Sequence, residues 1–422
     1  MAATERLYYN DSLLVTFTAT VTDIREYSRD DRQSLWQVAL DRSAFYPTSG
    51  GQPFDLGLLR ATSRLGNVLE LPVVAVEEDE HGEVWHFVQK PLISGTQIEG
   101  LVDWPRRLDH MQQHSGQHLL SAVFARELGA HTLSFHLGEE TSSIDLDCTA
   151  LDESALTRME RIANEQIAEN RPVRVRQVTR AEAETLLAAG ELRKLPERDG
   201  DLRIIEIEEY DRNACGGTHV QATGQIGSLL IRGTEKVTRG LRVHYVCGLR
   251  AVKAARHDAE ILAVTAAQLS VGAPDVPASV ERLRSEAKAS AKVNHKLREE
   301  LAHYQAAQIA VEVPIQNGLR WVDRVMNDRD ADYLRMLASS LVAAVPRTIA
   351  LLSCVQGQTA RLVLASSLDL NLHCGEAMKR VLAHFGLRGG GSPGLAQTDV
   401  PLGQLAEVRA ALQTELRKPP EA

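Results

Sequence analysis

Residues 107–120 read RLDHMQQHSGQHLL, and this stretch decides how we interpret the middle of the chain. Apolar residues at positions 119, 120, 123, 124 and 128 follow the spacing of an amphipathic helix, which predicts a helix over 113–128. His114 and His118 lie four residues apart, so a helix places both imidazoles on one face, about one turn apart. Two imidazoles in that arrangement can hold one metal ion.

A second motif lies far downstream, where Cys215-Gly-Gly-Thr-His219 offers a thiolate and an imidazole across a turn. Its two glycines allow a tight bend, so both side chains can face one point. Two nitrogen ligands from a helix, with a sulfur and a nitrogen from a loop, suit tetrahedral zinc. The sequence therefore predicts one zinc per chain, held by His114, His118, Cys215 and His219. The alternative is that the histidines only cap or pack and that Cys215 is a buried thiol.

The sequence around and beyond these motifs disfavours two classes of zinc enzyme. A protease of the zincin type needs a glutamate directly after the first histidine of its helix, and that position is Ser115 here. A zinc deaminase needs a Cys-x-x-Cys motif, which the sequence lacks.

The composition is that of a globular protein with two or three domains: 422 residues, 44% hydrophobic and 24% charged. We find no apolar run long enough for a membrane span and no secretory signal at the N-terminus. The cysteines are scattered and odd in number, which argues against a disulfide framework and predicts a cytoplasmic protein. The net charge of -9 means that any nucleic-acid binding must use local basic patches.

Hydrophobic patterning predicts an α+β multidomain protein with four parts. They are a β-barrel-like domain over 1–100, an α+β zinc-containing core over 101–258, a long helix over 259–312 and a C-terminal α/β domain over 313–422. The first prediction rests on alternating apolar and polar residues over 13–24, 34–40 and 68–76. The long helix carries a heptad seam over 280–304, which either packs on its own chain or pairs with a second copy.

The two metal motifs together resemble the editing domain of alanyl-tRNA synthetases and the freestanding alanyl-tRNA editing proteins. Other segments agree with this resemblance, which covers nearly the whole chain. They are AFYPTSGGQPFDLG at 44–57, the helix at 107–120, GLRVHYVCG at 240–248 and RGGGSPGLAQ at 388–397. The last is similar to the C-terminal DHH-associated domain that follows the editing core in synthetases and long editing proteins.

This resemblance implies a zinc-dependent hydrolase that deacylates alanine tRNA mischarged with serine or glycine. No aminoacylation module precedes Leu7, so we expect editing in trans without tRNA charging. The resemblance further implies a cytoplasmic protein whose partner is tRNA(Ala), with the nucleic-acid and ATP binding ascribed to the family. A homodimer would form through the long helix or the C-terminal domain.

The resemblance also assigns roles to residues of the glycine-rich loop. Thr48 and Gln52 are the expected catalytic residues, the first bonding a serine hydroxyl and the second orienting water. Gly50, Gly51 and Arg242 are expected to bind substrate. Four protein ligands would close the zinc coordination sphere and leave no position for an activated water. We therefore expect the metal to organise the site and anchor the substrate, not to activate the water. Thr48 as a plain turn residue stays an alternative.

Several alternatives remain at this stage. A non-catalytic tRNA-binding module with a degenerate editing fold is one, although all four ligands are present. A phosphoesterase would need an Asp-His-His motif, which is absent. The Gly-Gly-Gln tripeptide matches peptide release factors, where zinc ligands would have no role. His110 is either a general base or a packed histidine. Basic clusters over 171–180 and 232–256 either grip phosphates or form solvated faces.

Overall fold

The computed structural model describes residues 4–29, 34–63, 65–196 and 200–417. Its contacts divide the chain into two compact units, Met1–Val264 and Thr265–Ala422. Both units combine sheets with helices, which confirms the α+β class and the multidomain organisation. The finer division into four parts, at residues 100, 258 and 312, stays a prediction.

Unit one begins with a β-rich part. Its strands are β1 (Glu5–Arg6), β2 (Thr16–Arg29), β3 (Ser34–Leu40), β4 (Arg42–Ser43), β5 (Gly57–Thr62), β6 (Val68–Val73), β7 (Ala75–Glu78), β8 (Val84–Val88) and β9 (Gln97–Val102). An antiparallel sheet has the order β6-β5-β9-β2-β3-β8-β7, and β1 pairs with β4. Every second residue of β9 is buried, namely Ile98, Gly100 and Val102, as expected for a half-buried strand. Because β6 and β7 end the order, closure into a barrel is not confirmed and stays a prediction.

The rest of unit one carries both metal motifs. Its elements are α1 (Trp104–Leu128), β10 (Thr132–Leu137), β11 (Ser142–Leu146), α2 (Glu153–Ala168), β12 (Val173–Val178), α3 (Arg180–Ala188), β13 (Leu202–Ile207), β14 (Asp211–Ala214), β15 (Leu229–Val237), β16 (Gly240–Cys247) and α4 (Gly248–Leu269), which continues past Val264. One antiparallel sheet has the order β10-β11-β16-β15, and another has the order β12-β13-β14. Helix α1 shares a core with the first of these sheets through Val123, Phe124, Ile144 and Val243.

Helix α1 begins at Trp104, nine residues before the predicted start at 113. The side chain of Asp103 caps it by accepting from the Arg106 amide at 3.2 Å, and Pro105 occupies the first turn, where its missing N–H costs nothing. Nearly all of residues 107–124 are buried, so the first turns lack the one-sided apolar stripe on which the prediction relied.

Hydrophobic residues over 226–232 also predict a strand, and its first half is wrong. Thr223–Ile226 forms a 3-10 turn, and β15 begins only at Leu229. Gly227 has a φ of 73°, and a Cβ there would lie 2.8 Å from the Cα of Gly248. This close approach of two backbone segments breaks the strand.

Unit two begins within α4. Its further elements are α5 (Val276–Glu312), β17 (Arg320–Val325), α6 (Ala331–Ala344), β18 (Thr348–Gln356), β19 (Thr359–Ser366), α7 (Cys374–Ala383), β20 (Gly390–Gly391), β21 (Leu395–Pro401) and α8 (Leu405–Leu416). The sheet has the order β17-β18-β19-β21-β20, with β17 and β18 parallel. Helix α5 buries Ala302, Ala306 and Ile309 in the core that α6 shares, whereas every residue over 281–297 is exposed.

No single helix among the described residues is both long and apolar enough to cross a membrane. Helices α4 and α5 pass that test only as a pair, bent by 73°.

Candidate metal centre

Four side chains from distant parts of unit one converge on one point. Helix α1 supplies His114 and His118, and the loop after β14 supplies Cys215 and His219, with one potential ligand atom of each within 4.8 Å of all the others. Cys215 Sγ lies 3.4 Å from His114 Nε2 and 3.3 Å from His219 Nε2. Tetrahedral zinc with Zn–S of about 2.3 Å and Zn–N of about 2.0 Å would set these edges at roughly 3.5 Å. The donor set therefore fits zinc in both chemistry and spacing.

Gln52 fixes the orientation of the first histidine. Its side chain is fully buried, and its Nε2 donates to Thr218 Oγ1 at 2.9 Å. Its Oε1 accepts from the Thr218 amide at 3.1 Å and lies 2.8 Å from His114 Nδ1. Since this oxygen can only accept, His114 Nδ1 carries the proton and donates it to Gln52, which leaves Nε2 for the metal.

Ser115 does the same for the last histidine of the set. Its Oγ lies 3.1 Å from His219 Nδ1 and accepts from the Val220 amide at 3.2 Å. When His219 binds a metal through Nε2, its Nδ1–H donates to Ser115 Oγ. The residue that disfavours a zincin protease thus orients a candidate metal ligand in this fold.

The Cys-Gly-Gly-Thr-His loop needs its second glycine for space. A Cβ at Gly217 would lie 2.2 Å from His114 Cε1 and 2.4 Å from His114 Nδ1. The Gly217 amide also faces Cys215 Sγ at 3.4 Å, a contact that favours the thiolate. Neither a β-carbon nor a different turn would allow this approach.

Arg203 holds the same loop in place through hydrogen bonds to its backbone. The residue is 2% exposed, and its guanidinium donates through Nη1 to the carbonyls of Cys215 and Gly217, each at 2.8 Å, and through Nε to the Tyr9 carbonyl at 3.0 Å. The Cys215 amide in turn donates to the Arg203 carbonyl at 3.0 Å. Strand β13 therefore fixes the position of the cysteine ligand.

A buried ion pair joins the glycine-rich loop to α1. Arg107 and Asp55 are both fully buried, with Arg107 Nε 3.0 Å from Asp55 Oδ2. The same carboxylate accepts from the Tyr46 amide at 2.7 Å, and Arg107 Nη1 donates to the Ser12 carbonyl at 2.9 Å. These contacts hold both ends of the loop that carries Gln52 against the helix that carries His114. Breaking such a pair from one side is strongly destabilising, by about 3–5 kcal/mol.

Burial determines the protonation of the cluster. It lowers the pKa of His114 to about 3 and lowers the pKa values of His118 and His219 well below the usual range, with Arg203 adding a smaller effect in the same direction. Neutral imidazole is the form that binds a metal. Burial raises the pKa of the Cys215 thiol, and a bound cation would reverse that preference and favour the thiolate.

The structure places the other predicted residues of the loop as follows. Ser49 and Gln52 form an antiparallel bridge around Gly50 and Gly51, whose φ values are 55° and 82°. A Cβ at Gly51 would lie 2.9 Å from the ring of Phe135, and that ring lies 5.7 Å from the His114 ring. Thr48 is exposed beside this turn, and its amide donates to the Val76 carbonyl at 3.2 Å. The roles in substrate binding and catalysis assigned to Thr48, Gly50, Gly51 and Gln52 stay predictions.

Arg242 has a partner within its own sheet. Its Nε and Nη2 donate to the two carboxylate oxygens of Asp145 on β11, at 2.7 and 3.0 Å. A substrate bound by Arg242, as predicted, would therefore share the guanidinium with Asp145. Other members of the basic cluster are likewise paired, Arg232 with Asp258 and Arg250 with Asp109. The arginines over 171–180 also form ion pairs with glutamates.

His110 lies one turn before His114 on α1. It is buried, and its Nδ1 has no hydrogen-bond partner within the described ranges. Burial, with a smaller contribution from Arg106, lowers its pKa to about 4.

Sequence reasoning found the four ligand candidates but missed the residues that support them, Ser115, Asp55, Arg107, Arg203 and Thr218. Their contacts join segments up to 194 residues apart, as between Arg203 Nε and the Tyr9 carbonyl. A motif search in one sequence contains no signal for such pairs, except that Ser115 lies inside the helix motif.

Comparisons with known proteins bear on this site. Residues 202–242, which include Cys215 and His219, match the family described as the threonyl and alanyl tRNA synthetase second additional domain. An alanine–tRNA ligase of Pyrococcus furiosus is 32% identical over 80% of this chain and 36% of its own length. The alanyl-tRNA editing protein Aarsd1 of Bos taurus is 35% identical over 69% of this chain and 65% of its own length.

The chain thus spans less than two thirds of each of these relatives. Among solved structures, the C-Ala domain of the Aquifex aeolicus alanyl-tRNA synthetase matches 25% of this chain and 98% of its own, with 18% identity and a TM-score of 0.23, which is too low to establish a shared fold. The sequence matches establish homology: the chain is a homologue of the alanine–tRNA ligases and of the alanyl-tRNA editing protein Aarsd1, and its residues 202–242 match the second additional domain.

Proposed function

We propose that this chain hydrolyses the ester between a wrong amino acid and the terminal adenosine of alanine tRNA, acting in trans on serine and glycine esters. The observation that carries the proposal is the complete His114, His118, Cys215 and His219 cluster in a chain homologous to an alanyl-tRNA editing protein. The buried hydrogen bonds that orient His114 and His219 also support it.

The reaction answers a physical limit on recognition. A synthetase pocket shaped for alanine cannot strongly reject glycine, which is smaller, or serine, which only adds a hydroxyl. A second site that selects by size alone would remove glycine but would spare serine. The editing site must therefore favour the serine hydroxyl through a hydrogen bond that alanine cannot make. Such a contact contributes about 1–3 kcal/mol, roughly 5- to 150-fold in discrimination.

The residues of the site divide this work. Zinc, when bound by the four ligands, would organise the site, and it would anchor the substrate as a Lewis acid only by expanding to five-coordinate. Gln52 and Ser115 hold His114 and His219 in the tautomers that ligate. Because the Gln52 carbonyl oxygen is already shared by His114 and Thr218, only the second N–H of its amide is free to orient a water. Thr48 is the proposed contact for the serine hydroxyl.

A structural zinc site in a non-catalytic tRNA-binding module is the second candidate. The observation in its favour is that four protein ligands fill a tetrahedral sphere, which is typical of structural zinc. Catalytic sites usually keep one position open for water. Under this alternative the protein would bind alanine tRNA and leave its ester intact.

The proposal extends to partners and location. Basic side chains of the β15–β16 hairpin without an ion-pair partner among the described residues, Lys236 and Arg239, would contact tRNA phosphates. The exposed stretch of α5 over 281–297 would pair with a second copy to form a homodimer. We propose a cytoplasmic setting, where mischarged tRNA is available.

A deacylation assay tests the proposal with serine, glycine and alanine esters of alanine tRNA. We expect the purified, zinc-loaded protein to hydrolyse the serine and glycine esters and to spare the alanine ester. Cys215→Ala should lose both zinc and activity, whereas Cys148→Ala, at a half-buried cysteine outside the cluster, should keep both. Zinc-loaded protein that binds tRNA without cleaving any ester would favour the non-catalytic module.

A further inference from the structure

A cavity of about 210 Å³ adjoins the metal centre on the side of Cys215. Aromatic and polar groups of the N-terminal segment and the glycine-rich loop line it together with β13 and the cysteine loop. The residues used below are Tyr9, Tyr46, Ser49, Arg203, Cys215 and Gly216. The cavity therefore lies beside the point where the proposed ester substrate would meet the metal.

Arg203 brings an unmatched positive charge to this cavity. Its Nε and Nη1 donate to three backbone carbonyls, but its buried Nη2 has no hydrogen-bond partner in the described part of the chain. No carboxylate forms an ion pair with it there either: the one carboxylate that lines the cavity, Glu78, is paired with Arg6 at 2.6 Å. A buried guanidinium with free N–H groups and no counter-ion is costly unless an anion joins it.

Tyr9 offers a second donor at the same place. Its hydroxyl accepts from Arg6 Nη1 at 2.7 Å, so its own proton is left to donate elsewhere. A Cβ at Gly216 would lie 3.6 Å from this hydroxyl, which places it against the cysteine loop. By contrast, the Tyr46 hydroxyl already donates to the Ser49 carbonyl at 3.0 Å.

We propose that this cavity is a phosphate subsite, in which Arg203 and Tyr9 bind the phosphate of the terminal nucleotide of tRNA. The inference rests on the proposed function, because it assumes that an aminoacyl ester lies at the metal. In such a substrate the carboxyl group of the amino acid is esterified, so the phosphates are its anionic groups. Because Nε and Nη1 are already bonded to carbonyls, Arg203 would bind a phosphate oxygen through Nη2, in a charge-assisted hydrogen bond that is stronger than a neutral one.

Binding of small fragments to the zinc-loaded full chain tests the subsite without any hydrolysis. The probes are adenosine 5′-monophosphate, adenosine and inorganic phosphate, followed by calorimetry. We expect the monophosphate to bind at least tenfold more tightly than adenosine, since only the former offers a phosphate to Arg203. Inorganic phosphate should bind weakly and compete with the monophosphate.

Tyr9→Phe removes the donor but keeps the ring that packs on Tyr8 and under Arg203. The substitution should lower the affinity for the monophosphate roughly 5- to 30-fold and leave the affinity for adenosine unchanged. Tyr27→Phe is the matched control, because Tyr27 is exposed and packs on Phe87 in the N-terminal sheet. Arg203→Met should abolish the preference for the monophosphate in any preparation that keeps its zinc.

The outcomes separate this inference from the proposed function. A monophosphate that binds no better than adenosine overturns the subsite, as does an unchanged preference in Tyr9→Phe. If inorganic phosphate binds tightly and the monophosphate does not bind, the cavity is a site for free phosphate. That result would overturn the assignment to the terminal nucleotide. A phosphate preference in a protein that cleaves no ester would preserve the subsite and refute the hydrolase.

Discussion

Gly217→Ala is the substitution that most directly probes the geometry of the metal centre. The added Cβ would lie 2.2 Å from His114 Cε1, whereas carbon atoms in contact are normally about 3.5–4.0 Å apart. The imidazole or the loop must therefore move by more than an ångström, away from the position that places His114 Nε2 3.4 Å from Cys215 Sγ. Overpacking of this kind costs about 1–3 kcal/mol, so we expect zinc to bind roughly 5- to 150-fold more weakly.

Competition with a chromophoric chelator measures this affinity. Gly216→Ala is the matched control, because its Cβ would meet nothing closer than the Tyr9 hydroxyl at 3.6 Å, an ordinary contact. We expect this neighbour to bind zinc as the unaltered protein does. Equal zinc affinity in the two alanine variants would refute the argument that His114 and the second glycine are packed as described.

Three further predictions concern specificity, pH and assembly. Thr48→Val should lower serine-over-alanine discrimination by about 1–2 kcal/mol, roughly 5- to 30-fold in the ratio of kcat/KM values, while zinc content stays constant; an unchanged ratio would reject Thr48 as the selector. Burial lowers the pKa of His86 to about 4. In the unfolded chain this histidine is protonated below about pH 6.5, whereas in the folded chain it stays neutral until about pH 4. The contribution of His86 to the unfolding free energy should therefore fall by about 3 kcal/mol between these values as pH decreases, and His86→Gln should reduce the slope by that share in denaturant titrations. Leu297→Asp, on the exposed part of α5, should convert a dimer to a monomer in sedimentation experiments, whereas Lys296→Ala should not.

The metal motifs could be predicted because their chemistry is local. Spacing alone placed His114 and His118 on one face of a helix, and the two glycines indicated a turn between Cys215 and His219. That these two local patterns meet was inferred from their complementary ligand types and then supported by the resemblance to a known family, since nothing in a single sequence states which turn faces which helix.

The contacts that support the ligands could not be predicted for the same reason. Gln52 reaches His114 across 62 residues, and Arg107 meets Asp55 from a separate element. Sequence reasoning expected Gln52 to orient water, and its burial shows that most of its hydrogen-bonding capacity serves His114 and Thr218 instead. The predicted helix α1 began too late because the prediction relied on apolar spacing, which its first turns lack, although Pro105 fits the first turn of a helix.

The separation of the two half-sites along the chain has a consequence for how the metal is acquired during synthesis. Cys215 follows His114 by 101 residues, and a ribosome adds roughly 5–20 residues per second. The paired histidines of α1 therefore emerge several seconds before the cysteine loop exists. Copper(II) binds nitrogen and sulfur donors more tightly than zinc by affinity alone, so the tetrahedral geometry of the complete set is what would favour zinc. The late arrival of Cys215 and His219 thus makes metal selection an event of the finished fold, and a nascent chain that captures copper early would have to exchange it.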